Sequence, residues 1–81
     1  MKLETTTDCI IAAQLLYNKA KKVTNEEEHR HWWDEKVELL QTINKALASG
    51  FFTGEAYDEL WTAKHLLYTA EEEAGKYAMN Q

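Results

Sequence analysis

Proline is absent from these 81 residues and glycine occurs only three times. Nothing between the glycines removes a helical donor or carries the entropic cost that glycine brings to a helix interior. The abundant residues are Ala, Leu, Glu, Lys and Gln, which lose little freedom on entering a helix. Helix is therefore favoured almost everywhere. Cysteine is nearly missing too: a single Cys9 excludes an internal disulfide and any Cys-x-x-Cys metal or redox pair. By spacing Cys9 falls on the apolar face of the first helix, where a free thiol behaves as a small hydrophobe.

Basic residues are scarce, nine against fourteen acidic ones, for a net charge of -5. Non-specific phosphate binding needs clustered Lys and Arg, so nucleic acid is not expected as a partner. No apolar run approaches the roughly 20 residues of a membrane span, and the N-terminus has no basic head, apolar middle and small-residue cleavage site. The expectation is a cytoplasmic protein with no membrane partner. Also missing are a Gly-rich phosphate loop and a Ser in a strand-turn-helix context.

What is present is a strong helical period. One of Thr5, Thr6 and Thr7 is placed to cap a helix over 7–23, with Asp8 at its positive end. Cys9, Ala12, Ala13, Leu16, Ala20 and Val23 form its apolar stripe, widened by Ile11 and Leu15. Thr24 and Glu27 match a capping box that opens a second helix over 25–48, and Ser49-Gly50 supplies a left-handed stop. Thr53 is the next cap candidate, before a helix over 54–76. There Ala56, Leu60, Ala63, Leu67, Ala70, Ala74 and Tyr77 keep 4-3-4-3 spacing, a heptad seam. Short connections make consecutive helices antiparallel. The predicted fold is all-α, a single domain built as a small antiparallel three-helix bundle. Its expected core is Leu16, Leu40, Ile43, Leu60 and Leu67. A helical hairpin pairing with a second copy has the same pattern.

Three sets of residues are candidates for function. The antiparallel arrangement gathers charge at one pole, with Glu26, Glu27, Glu28, Glu71, Glu72 and Glu73 near Lys19, Lys21, Lys22 and Lys76. Glu27, Glu28 and Glu72 there are candidate contacts for a basic partner, or else parts of solvated helix faces. Glu26-x-x-His29 and Glu28-x-x-His31 set a carboxylate and an imidazole one turn apart. A di-metal bundle needs the same motif on a second helix, however, and His65 has Thr62 where the glutamate belongs. No metal and no cofactor are expected. The aromatic residues are the more informative excess, nine in all. Trp32 and Trp33 lie about 100° apart around their helix, so both cannot centre in one narrow core. Trp61 and Tyr68 are seven apart on a stripe beside the helix 3 seam. Together these four are candidate contacts with a protein partner, since Trp and Tyr are enriched at interface hot spots.

The chain is also near the lower size limit for a self-sufficient core, so a homo-oligomer or a protein partner is expected. The function these features suggest is a small acidic interaction module that binds a partner protein, of the inhibitor, antitoxin-like or phage and plasmid accessory type. The alternative is a small helical enzyme or ligand-binding protein using the His and Glu residues of helix 2.

Overall fold

A side-chain cap opens each of the first two helices, and the computed structural model, which describes residues 5–79, shows which residues act. Helix α1 (Thr6–Ala20) opens at Thr5, whose hydroxyl accepts the Asp8 amide while the Asp8 carboxylate accepts the Thr5 amide at 3.1 Å. This reciprocal box satisfies two otherwise orphaned donors. Helix α2 (Glu26–Ser49) is capped by Asn25, which accepts the Glu28 amide at 2.9 Å. The cap thus sits one residue later than the expected Thr24-Glu27 pairing. Thr24 instead donates its amide and hydroxyl to the Glu28 carboxylate, at 2.9 and 2.7 Å. Gly50 ends α2 at φ 71, the left-handed conformation its lack of a Cβ allows. Helix α3 (Glu55–Met79) begins after Gly54, whose carbonyl accepts the Asp58 amide.

Helix α1 is shorter than its apolar pattern predicts. Its end tightens, with the Lys22 amide donating to the Lys19 carbonyl and the Val23 amide to the Ala20 carbonyl. Val23 still packs against the core from the connection, so the period outlasts the helix.

The three helices run up, down and up. Thr6 and Thr7 at the start of α1 donate their hydroxyls to Glu59 near the start of α3, at 3.4 and 2.8 Å, so these two helices are parallel. Lys36 of α2 reaches Glu71 of α3, and the His29 ring lies beside Tyr77, so α2 runs antiparallel to α3. Among the described residues there is no strand, and no helix is long and apolar enough to cross a membrane.

Side-chain size decides the packing. Cys9, Ala13 and Ala20 of α1 and Ala63, Ala70 and Ala74 of α3 are all buried, and these small residues let α1 and α3 approach more closely than either approaches α2. Helix α2 fills the remaining space with Trp32, Leu39 and Ile43. Leu60 and Leu67 are fully buried on α3, and burying each such side chain is worth about 1.5–3 kcal/mol. The Trp32 indole N–H donates to the Leu16 carbonyl at 2.7 Å, which removes the cost of burying that donor. Burial also pushes the Cys9 thiol above its ordinary value, and the Asp8 carboxylate adds to the shift.

Two expectations about burial fail. Leu40 is half-buried and Leu39 takes its place in the core, because the buried stripe of α2 runs through Trp32, Lys36, Leu39 and Ile43. Ile11 and Leu15 do not widen the core; both are exposed on α1.

Candidate interaction surface

Lys36 organises the meeting of α2 and α3, and nothing in its residue type announces it. Its side chain is only 4% exposed, its ammonium lies 2.7 Å from a Glu71 carboxylate oxygen, and it sits 3.4 Å from the centre of the Trp33 ring. A buried ammonium needs both a counter-ion and a cover, and here it has one of each. Trp33 precedes Lys36 by one helical turn, and Tyr68 precedes Glu71 by one turn on the antiparallel helix. The ion pair therefore lies between Trp33 and Tyr68 along the α2–α3 seam.

From Tyr68 the stripe continues down α3 through Lys64, Trp61 and Tyr57, at alternating spacings of four and three residues. Tyr57 and Trp61 meet edge to face at 6.4 Å, and the Lys64 ammonium lies 4.9 Å over the Trp61 ring. Trp33, Tyr57, Trp61 and Tyr68 are each between 40% and 46% exposed. Their inner edges touch protein and their outer edges face water, so together they form an aromatic band along one side of the bundle.

The four aromatic candidates thus divide. Trp33, Trp61 and Tyr68 lie on this band. Trp32 is buried, 3% exposed, and is a core residue rather than a contact, because its position on α2 points between α1 and α3. Tyr57 belongs to the band as well, and its spacing of four from Trp61 is the sequence signal for it.

The acidic pole is mostly engaged in local pairing. Glu28 is a structural group: the Thr24 hydroxyl and amide hold its carboxyl below the ordinary value. Glu27 lies 4.0 Å from His31, Glu26 the same distance from Arg30, and Glu73 is 2.9 Å from Lys76, whose ammonium it holds above its ordinary value. Glu71 is committed to Lys36. Glu72 is exposed. Surface pairs of this kind are worth roughly 0–1 kcal/mol each and leave the pole a solvated, locally balanced surface.

The His and Glu residues of α2 do not converge. His29 packs among Trp32, Trp33 and Tyr77, with ring centres 6.3, 5.8 and 5.5 Å away. His31 and His65 are exposed on different helices. Among the described residues no group of three or more His, Cys, Asp or Glu side chains is placed to hold a metal ion.

The concave surface lies elsewhere, between α1 and α2. An open groove of about 590 Å³ is floored by Ala12, Leu16 and Leu39 and walled by Leu15, Glu38 and Thr42. A smaller one, about 270 Å³, continues past Lys19 and Glu35 toward Val23, Trp32 and His31. Lys19 and Glu35, 3.1 Å apart, strap the boundary between them. Acidic and basic side chains are mixed along this groove, and its chemistry favours no ligand class.

Compared with known proteins, the chain matches no family model, no curated protein and no solved structure.

Proposed function

We propose that this chain is a protein-interaction module that acts by laying its α2–α3 face on a partner. The observation that supports this reading is the aromatic band: four rings, Trp33, Tyr57, Trp61 and Tyr68, each left about half in water on the same side of a small bundle. Trp and Tyr combine large apolar area with few rotatable bonds, so they lose little entropy when ordered and dominate contact energies. With Lys64 folded over Trp61 and Lys36 neutralised beneath Trp33, the centre of the band suits a partner surface that is apolar at its own centre. A reducing, cytoplasmic setting fits the lone buried thiol of Cys9.

The test is a photo-crosslinking amino acid placed in turn at positions 61, 68 and 14 in the native host. Crosslinks to protein from 61 and 68, with none from the exposed Gln14 site on α1, support the reading. Crosslinking that is equal from all three positions, or absent from 61 and 68, overturns it.

A further inference from the structure

We infer that the α2–α3 face receives a basic protein surface, apolar at its centre and ringed by Arg and Lys; the inference rests on reading that face as a contact surface. Most carboxylates of this chain are engaged within it. Glu26, Glu35, Glu71 and Glu73 each hold a cation, and Glu28 and Glu59 each hold a threonine hydroxyl. Asp34, Asp58 and Glu72 differ. All three are exposed, and among the described residues their carboxylates make no ion pair and accept no hydrogen bond.

These three carboxylates border the aromatic band. Around α3, Asp58 stands about 60° from Trp61 and Glu72 about 40° from Tyr68, each within one turn of its ring. Asp34 follows Trp33 and extends the rim onto α2. The remaining carboxylates in the same condition, Glu38 and Glu55, stand elsewhere: Glu38 lines the α1–α2 groove and Glu55 lies about 120° around α3 from Trp61. Unpaired negative charge thus gathers where the half-exposed rings are. A phosphate backbone or an anionic membrane would meet that rim with like charge, whereas a basic protein surface complements it.

The rings themselves already attract cations. Lys36 lies 3.4 Å over Trp33, and Lys64, with no carboxylate partner among the described residues, rests its ammonium 4.9 Å over Trp61. Arginine suits a carboxylate beside a ring better than lysine does, because its planar guanidinium pairs with the one and stacks on the other. A partner with apolar groups at its centre and Arg at its edge would match rings inside and carboxylates outside, the usual layout of a protein contact.

NMR titration of the isotope-labelled full chain with three synthetic helical peptides tests the inference. The peptides share one leucine stripe and one length, and carry Arg, Glu or Gln beside the stripe. The Arg peptide should move the Trp33 and Trp61 indole signals and bind roughly tenfold or more tightly than the Glu peptide. Asp58→Asn combined with Glu72→Gln should weaken the Arg peptide by roughly three- to tenfold. Glu38→Gln, a neutralised carboxylate off the band, should leave it unchanged. Trp61→Leu, which keeps apolar bulk without an aromatic face, should weaken the Arg peptide more than the Gln peptide. Equal binding of the Arg and Glu peptides, indole signals that no peptide moves, or equal weakening by Glu38→Gln and the double variant overturns the inference. If positions 61 and 68 then still crosslink to protein in the native host, the basic class alone falls and the contact-surface reading stands.

Discussion

Removing one member or the other of the Lys36–Glu71 pair should give unequal results, because the two residues differ in what their loss leaves behind. Glu71→Ala leaves the ammonium of Lys36 in a site where its side chain is 4% exposed, with only the face of Trp33 for compensation. Breaking a buried pair in this way costs about 3–5 kcal/mol. The Glu71 side is 29% exposed, so water can reach the vacated space and the lower end, about 3 kcal/mol, is expected. Lys36→Met instead keeps the stem's apolar volume and removes the charge. The stranded carboxylate of Glu71 rotates to water from its partly open position. That change forfeits the cation–π contact with Trp33, worth about 0.5–2 kcal/mol, and recovers the cost of burying an ammonium. The net should lie within about 1 kcal/mol of zero. Urea unfolding followed by far-UV circular dichroism reads both. With a slope of roughly 1 kcal/mol/M for so small a domain, Glu71→Ala should lower the midpoint by about 3 M, which could exhaust the ~3–5 kcal/mol available to it. The double variant Lys36→Met/Glu71→Gln should recover most of the loss. Equal destabilisation by Lys36→Met and Glu71→Ala, or none by either, would refute the description of a buried, covered ion pair.

The core and the α2 start give two further expectations. Leu67→Ala, at a position with no exposed surface, should cost about 2–5 kcal/mol, and Leu40→Ala at the half-buried edge clearly less; the same urea titration compares them. Glu28 has a folded-state value lowered by the Thr24 hydroxyl and amide, so the folded chain binds that proton more weakly than the unfolded one. Its contribution is therefore complete above the ordinary carboxylate value and fades as pH falls through the lowered one. Thermal melts across the acid range should show a flatter profile for Glu28→Gln than for the parent, and parallel profiles would contradict the assignment.

The helices were legible in the sequence because the main cues agreed: the apolar period, the hydroxyl and amide residues before α1 and α2, and Gly50 at a stop that needs a positive φ. Helix α3 was read most fully, since its seam of alanines and leucines is buried along its middle. The expected core differs from the observed one at one leucine, Leu40 in place of Leu39: Lys36 is polar in type and fits no apolar period, so the stripe Trp32, Lys36, Leu39 and Ile43 does not stand out in the sequence. A long aliphatic stem can occupy a core position when its ammonium finds a carboxylate, and Glu71 lies 35 residues away on another helix. No local pattern announces such a partner. The capping error is smaller in kind: Thr24 with Glu27 and Asn25 with Glu28 are overlapping signals, and Asn25 takes the cap while Thr24 binds the Glu28 carboxylate. That one of two adjacent tryptophans must leave the core followed from the 100° step; which one followed only from packing.

The half-exposed aromatic band of α2 and α3 is expected to be covered by protein in the native setting. Hydroxyl-radical footprinting, read by mass spectrometry, tests it most directly by comparing the chain at its native level in cells with the dilute purified chain. Trp33, Tyr57, Trp61 and Tyr68 should be oxidised in the dilute sample and protected in cells, while Ile11 and Leu15, exposed on α1, should react alike in both. Equal oxidation of the four rings in the two settings would contradict the account.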